Sequence, residues 1–418
     1  MKPYSLYLHI PFCTHRCAYC DFNTYAGQEE MIPAYVEALC KEIEFVGIRA
    51  ATMAALQSHT IFFGGGTPSL LTPTQFASIF KSLRAFFALS DDAEITIEAN
   101  PGTVTYAALC ELHEIGINRI SYGVQSANLE ELRMLERTHD FFTVIEAVTS
   151  ARKAGFNNLN LDLIYGLPEQ TMQTWQMTVK RILDLHPEHI SAYALTLEHG
   201  TPFGRWASKG LLPLPDPDLA AEMYEWASET FEANGYAQYE ISNWAKTIAE
   251  HRMQNAENSS FRLLHSTFQC RHNLQYWRSL PYLAFGAGAH GYASGYRYSN
   301  LLRIKTYIDR LINFDERISK IEFPLSPATV NHHKQTIQDD MSEFMMTGLR
   351  LTQDGISSAE FEKRFGSQLQ DVFGKEVDEL LKLGLLERET SELLENSEVL
   401  KLTKRGRLLG NQAFMRFV

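Results

Sequence analysis

Three cysteines sit within eight residues near the start of the chain, in Cys13-Thr-His-Arg-Cys17-Ala-Tyr-Cys20. Three residues and then two separate them, a spacing that lets one tight loop turn all three thiolates to one face, as iron or zinc requires. An electron-transfer cluster or a structural zinc site takes a fourth protein ligand as a rule. Here Phe22 stands two beyond Cys20, and no further cysteine is near. Three thiolates on a cluster leave one iron open to bind something else. The alternative is zinc completed by His15 or His9, against which the spacing and the apolar flanks weigh. Cys40, Cys110 and Cys270 are scattered and read as small buried hydrophobes.

A second set of residues follows successive apolar runs. Gly64-Gly65-Gly66-Thr67-Pro68 lets the backbone approach a ligand closely, although a glycine-rich turn alone is often only a bend. Glu98 in Ile-Glu-Ala-Asn-Pro, Gln125 in Tyr-Gly-Val-Gln-Ser, Arg137 and Asp162 in Leu-Asp-Leu-Ile-Tyr-Gly-Leu-Pro come next, with Tyr7 on the first run. One charged residue at a strand end is usually a solvated cap. Four polar residues ending consecutive strands converge on one mouth, which marks a ligand site. A third set is His272-Asn-Leu-Gln-Tyr276-Trp277. A neutral imidazole can ligate a metal, and the two aromatic rings offer flat apolar faces. Read alone, the segment is a packed turn with a hydrogen-bonded histidine. Cys270, two residues before His272, could compete as a thiolate, although a plain buried thiol is the expected reading.

Elements that position these residues are visible as periodicity. Short apolar runs at 6–11, 60–63, 94–99, 119–124, 158–164 and 190–197 read as strands; 32–46, 74–87, 106–115 and 142–154 have helical spacing. Thr72-Pro73 and Thr171 are plausible helix caps. Six such units imply a parallel sheet with right-handed crossovers, in an open doubly wound sheet or a full or partial barrel. Both architectures place their sites at the C-terminal strand ends. Pro213, Pro215 and Pro217 then make a stiff, helix-breaking connection. From 339 the chain is helix-rich and closes with runs at 385–388 and 398–403 and a helix from 404, an order similar to a winged-helix-like module.

The 418 residues suffice for a large domain plus a smaller one. A net charge of −12 argues against nucleic-acid binding, which depends on neutralising phosphates. No stretch reaches the ~20 apolar residues of a membrane span. The first twelve residues lack a signal sequence, so the expected location is the cytoplasm, with at most peripheral membrane association. Thiols stay reduced there, and a tight cysteine cluster points to metal or redox chemistry.

CxxxCxxC directly after a first strand resembles the radical S-adenosylmethionine superfamily. That resemblance implies a [4Fe–4S] cluster on Cys13, Cys17 and Cys20, with S-adenosylmethionine chelating the open iron and cleaved to a 5′-deoxyadenosyl radical. It also implies a cofactor site of Tyr7, Tyr19, Gly65, Gly66, Thr67, Glu98, Gln125, Arg137 and Asp162. Across nearly the whole chain, Tyr-Leu-His-Ile-Pro-Phe-Cys at 7–13, Gly-Gly-Gly-Thr-Pro, Gly-Val-Gln-Ser, Asp-Leu-Ile-Tyr-Gly-Leu-Pro and Gly-Leu-Arg-Leu at 348–351 resemble the oxygen-independent coproporphyrinogen III oxidase family. The implied fold is α/β: a partial (β/α)6 TIM barrel over 1–300, then a smaller helical, winged-helix-like domain over 301–418.

Within that family the oxidase type carries an N-terminal extension and a fourth cysteine where this chain has Phe22. His272-Asn-Leu-Gln-Tyr-Trp277 is similar to the HNxxYW signature of the heme chaperone branch. The implied function is to bind heme, through His272, Tyr276 and Trp277, and deliver it to respiratory haemoproteins, with a heme or electron donor protein as a further partner. Radical decarboxylation of coproporphyrinogen III is the alternative, and a radical enzyme on an unrelated substrate a weaker third. Residues 246–269 exceed the family's usual connection and read as an insertion, either a flap over the heme surface or a tolerated surface loop.

Overall fold

Alternation along each strand decides the architecture. The computed structural model describes residues 4–51, 57–247, 267–315, 320–391 and 397–418. Strands β1 (Tyr4–Ile10), β2 (Gln57–Gly65), β3 (Ala88–Ala99), β4 (Arg119–Gln125), β5 (Leu159–Tyr165) and β6 (His189–Ala194) are parallel and stand side by side in chain order. All six expected strands are present. Their unbroken order is that of a barrel, since a doubly wound sheet reverses direction at a switch point.

The sheet stays open. Beyond β6, β7 (Tyr236–Glu240) and β8 (Asn243–Lys246) extend it antiparallel, with β8 inside β7; on the free side of β1, β9 (Tyr282–Phe285) adds a seventh parallel strand. Antiparallel β10 (His290–Ala293), β11 (Tyr296–Asn300) and β12 (Thr329–Lys334) finish that edge. These extensions, four to six residues long, were not expected, because strands such as Thr329–Lys334 have too few apolar residues to read as runs. Glu42 fixes the edge to the helical layer: its buried carboxylate accepts from Gly286 N (2.8 Å), Asn300 Nδ2 (2.7 Å), Ser326 Oγ (2.6 Å) and Tyr307 Oη (2.6 Å).

Helices α1 (Ile32–Ala51), α2 (Pro73–Phe86), α3 (Tyr106–Ile115), α4 (Phe141–Lys153), α5 (Met172–Leu183) and α6 (Pro217–Ala233) are interleaved with the strands. Outward residues such as Leu6, Leu8, Ile61, Phe63, Ile95 and Ile97 join one apolar core with them. Inward positions are polar: Ser5, Thr60, Glu94, Arg119, Asn160 and His189 are all buried. Both expected caps are present, and Pro217, read as a helix breaker, instead opens α6 behind the cap Asp216. At α2 the Thr72 side chain accepts from Gln75 N while Gln75 Oε1 accepts from Thr72 N. Thr72→Ala is therefore expected to cost about 1 kcal/mol, read as a lowered unfolding midpoint.

A helix α7 (Arg271–Trp277) precedes β9, and α8 (Ile304–Ile312) packs beside α1. The remaining chain forms α9 (Ile337–Gly348), α10 (Ser358–Phe365) and α11 (Leu369–Lys382), with a three-stranded sheet of β13 (Ile356–Ser357), β14 (Leu386–Ser391) and β15 (Ser397–Leu402). That is the smaller helical domain the family resemblance implied. Buried residues of the larger core run as far as Ala328, and those of the second begin at Met341. The stretch expected as an insertion lies outside the described residues except at 246–247 and 267–269. Among the described residues no helix is long and apolar enough to cross a membrane.

Candidate functional site

The three clustered cysteines hang from the end of β1. Phe12, just before them, is buried edge-on against Tyr35. The glycine turn after β2 is zipped to the same segment: Gly66 N donates to Ile10 O and Thr67 N to Phe12 O, both at 2.8 Å. A Cβ on Gly66 would meet the Phe12 carbonyl oxygen, and Gly65, at φ +111°, would drive one into the His9 ring. Glycine is required there for closeness to the cysteine loop. At the loop's far end Tyr25 N donates to Pro11 O (2.8 Å), and Asn23 Nδ2 reaches Ala287 O and Leu302 O.

None of the thiols is in a disulfide. Burial pushes the Cys13 thiol up to about 11, opposed by the Thr67 hydroxyl, which donates to its Sγ at 3.6 Å. Arg137 Nη1 donates to Cys17 Sγ at 3.6 Å, and its Nη2 donates to Asn100 Oδ1. Asn100 Nδ2 in turn donates to Thr67 Oγ1 at 3.1 Å. Cys13 and Cys17 are thus braced by one continuous network. Asn100 was not singled out from the sequence; its position two beyond Glu98 at the same strand end was the available signal.

Zinc would need a fourth ligand, and the two histidines near the cysteines are each engaged elsewhere. His9 Nε2 donates to Asn23 O (3.0 Å), which leaves Nδ1 to accept from Tyr7 Oη (2.9 Å). His15 pairs with Glu136 at 3.0 Å. Among the described residues no three His, Cys, Asp or Glu side chains close on a single ion. Three thiols lining one cavity suit a cluster, which is wider than an ion.

The thiols open into a cavity of about 470 Å³ at the C-terminal ends of the strands. Tyr19, Gly65, Gly66, Thr67, Glu98, Gln125, Arg137 and Asp162 all line it with Cys13, Cys17 and Cys20. Tyr7 does not; it sits behind the wall beside Glu98. Gln125 reaches the cavity because a bulge between β4 and β5 puts it at φ +68°. Ser121 and Ile164 also line the cavity without having been expected, and Phe22 is at its mouth, 68% exposed.

Two carboxylates give the cavity its electrostatic character. Burial, then the neighbouring Asp162, pushes Glu98 up to about 7, against the opposing pull of the Gly65 N–H at 3.0 Å. Asp162 is raised by burial as well, while Ser121 Oγ and Asn160 Nδ2, each at 2.8 Å, pull it back. Such a pair favours a ligand with positive charge and hydroxyl donors.

The His272 segment lies elsewhere. Glu94, on the inward face of β3, accepts from Arg271 N (3.1 Å) and His272 N (3.2 Å) and from the Cys270 thiol (3.7 Å), holding the first turn of α7 against the barrel. Thr60 Oγ1 donates to Ser5 and accepts from His272 Nδ1 at 2.7 Å; His272 Nε2 then accepts from Tyr276 Oη at 2.8 Å. The ring stacks on Phe62 and is 1% exposed, and burial pushes it down to about 3. His272 and Tyr276 share a helix face, as their spacing implied. Trp277 points away, beneath the Arg350 guanidinium at 4.2 Å and among Tyr239, Leu274 and Leu351. In this arrangement both imidazole nitrogens are occupied, the ring is sealed from solvent and Trp277 faces away from the other two.

Comparison with known proteins gives a consistent picture. The radical SAM superfamily profile matches residues 7–182, and that of the HemN C-terminal domain matches 336–409. Heme chaperone HemW of Bacillus subtilis is 36% identical over 415 residues, 99% of each chain. A Danio rerio protein, radical S-adenosyl methionine domain-containing protein 1, mitochondrial, is 33% identical over 90% of this chain and 79% of its own. Among solved structures, coproporphyrinogen III oxidase (HemN) from Escherichia coli, a radical SAM enzyme, superposes with a TM-score of 0.77 at 25% identity, over 99% of this chain and 90% of that one. Iron–sulfur and S-adenosylmethionine binding follow from the superfamily. The chain belongs to the radical SAM superfamily and, within it, to the HemW family.

Proposed function

We propose that this protein binds heme and passes it to respiratory haemoproteins, with a [4Fe–4S] cluster on Cys13, Cys17 and Cys20 and S-adenosylmethionine in the adjoining cavity. One observation carries the cofactor reading: three thiols free of disulfides and two half-buried carboxylates line the same cavity. The likeness over nearly the full length to proteins named heme chaperone supports the heme reading. Phe22, where the oxidase type has a fourth cysteine, supports the chaperone over coproporphyrinogen oxidation. A heme or electron donor protein belongs to the same proposal, and we place the catalytic-type site in the barrel, not in the C-terminal domain.

When bound, the cluster and S-adenosylmethionine supply reductive carbon–sulfur cleavage. The chain's own residues do the rest. The thiolates hold iron, Glu98 and Asp162 accept from the ligand's ammonium and hydroxyl groups, and Arg137 braces Cys17. Ile164 and Leu195 keep water from one wall. For His272 to ligate heme iron, Nε2 must exchange the Tyr276 hydroxyl for the metal, and α7 must leave the barrel. Cys270 is a poor rival, because burial pushes its thiol up to about 12.

Titration with hemin tests this. The unaltered protein is expected to gain a Soret band; His272→Ala is expected to shift its maximum and weaken binding, and Cys270→Ser to do neither. A Soret band that survives His272→Ala and vanishes with Cys270→Ser reassigns the ligand. Sustained protoporphyrinogen formation with a competent electron donor overturns the chaperone reading.

A further inference from the structure

Asp162 is the last member of a hydrogen-bonded line that runs through the barrel to the start of α7. Asn160 Nδ2 lies 2.8 Å from Asp162 Oδ1, His189 Nδ1 lies 2.6 Å from Asn160 Oδ1, and Tyr239 Oη lies 2.8 Å from His189 Nε2. The backbone N–H of Cys270 completes it, 3.2 Å from Tyr239 Oη. Asn160, His189, Tyr239 and Cys270 are at most 2% exposed, so water does not compete for these bonds.

The direction of every bond can be deduced. Asn160 must turn its amide nitrogen to the Asp162 carboxylate, because its oxygen there would set acceptor against acceptor. The same nitrogen reaches Ser121 Oγ at 2.7 Å, which uses its second hydrogen. Asn160 Oδ1 is then an acceptor, from Ser191 Oγ (3.1 Å) and from His189. Burial and Arg119 hold His189 well below its usual pKa, so the ring is neutral and has one N–H, on Nδ1. Its Nε2 is left to accept, and Tyr239 Oη donates to it. The tyrosine oxygen in turn accepts from the Cys270 amide. From Cys270 to Asp162 all the donors point the same way, toward the negative charge. Bonds aligned in this manner polarise one another, and the low dielectric of a sealed interior strengthens the effect.

We propose that His189 and Tyr239 are positioning residues of the cofactor cavity that carry the state of the Asp162 carboxylate to the first turn of α7. The inference rests on the reading of that cavity as the S-adenosylmethionine site. A ligand hydroxyl or cation on Asp162 draws charge from the outer face of the carboxylate and weakens its hold on Asn160. The change passes along the aligned donors and loosens the amide of Cys270, whose thiol, with the amides of Arg271 and His272, Glu94 holds. Coupling of this kind is reciprocal, so release of α7 alters the affinity of the cavity by the same factor. The line joins the cavity to the segment that contains His272, which the strand order alone would leave at opposite ends of the barrel.

Amide exchange of anaerobically reconstituted protein, with and without S-adenosylmethionine, tests the coupling. In the unaltered chain, binding is expected to change exchange at residues 270–272. Tyr239→Phe keeps the ring and its packing but removes one donor and one acceptor. It is expected to lower S-adenosylmethionine affinity about three- to tenfold, the worth of one neutral hydrogen bond, and to make exchange at Cys270 independent of the ligand. His189→Gln, whose amide can donate to Asn160 and accept from Tyr239, is expected to retain ligand-dependent exchange that His189→Leu loses. A residue that only packs would lower the unfolding midpoint and leave the response at Cys270 in place. Should Tyr239→Phe fail to fold, the His189 pair decides. Unaltered protein that binds S-adenosylmethionine with no change at 270–272 overturns the coupling and leaves the cavity assignment standing. Protein that does not bind it at all overturns both.

Discussion

Cys17→Ala, purified and reconstituted without oxygen, is expected to hold little iron and to show no charge-transfer absorbance, where the unaltered chain takes up about four irons. Among the described residues, the two histidines near the cysteines are engaged elsewhere. His9 has both nitrogens committed to Tyr7 and Asn23, and His15 is paired with Glu136. With two thiols left, a cluster has no third protein bond to hold it in a loop open to solvent on the Arg16 side. Loss of the Cys17 sulfur also leaves Arg137 Nη1 without the acceptor it has at 3.6 Å. Conversely, Arg137→Met is expected to leave iron content near that of the unaltered protein, since Asn100 and Thr67 still brace Cys13. Stoichiometric zinc in the unaltered protein after anaerobic purification would overturn the cluster assignment.

What the sequence disclosed is what local pattern encodes. Each expected barrel strand was a run of outward apolar residues long enough to alternate, and Thr72 and Thr171 announced their helices by cap chemistry that acts within three residues. The cavity was legible for a similar reason. A parallel barrel forces the residues at successive strand ends to face one mouth, so Glu98, Gln125 and Asp162 converge once the strands are placed.

The interior of the barrel was not legible. Glu94, Asn160 and His189 fall on strands at positions of no special local signature, and partners such as the His272 amide, Ser121 and Tyr239 come from other strands or from α7, tens to hundreds of residues away. Register decides those pairs, and register is a tertiary property. The surroundings of the His272 segment were hidden for the same cause. Its residue types suit heme, but a sequence cannot show that Thr60 on β2 waits within 2.7 Å of Nδ1, or that Trp277 turns outward to Arg350. Spacing gave the face that His272 shares with Tyr276; the neighbours of that face came only from the fold.

Removal of the cavity carboxylates is expected to have the second large effect. At pH 8, Glu98→Gln and Asp162→Asn should each weaken S-adenosylmethionine binding by about 1.5–3 kcal/mol, roughly ten- to hundredfold, the worth of a hydrogen bond to a charged group. The pH dependence separates the two. In the ligand-free chain burial and Asp162 hold Glu98 near 7, so at pH 6 most molecules carry it protonated. A cationic ligand prefers the ionised form, so binding releases a proton and affinity rises as the pH climbs through 7. Glu98→Gln removes that rise, and its loss of affinity is smaller at pH 6 than at pH 8. Asp162→Asn keeps the rise but moves it to lower pH, because the repulsion that helps to hold Glu98 up is gone. Stability of the ligand-free protein follows the opposite course. A carboxyl whose pKa is raised from 4.5 on folding favours the folded state below 4.5, and that contribution is lost as the pH rises through about 7. Glu98→Gln should therefore flatten the decline in unfolding free energy between those values. Calorimetry that shows unchanged affinity in both variants would mean that the ligand lies elsewhere.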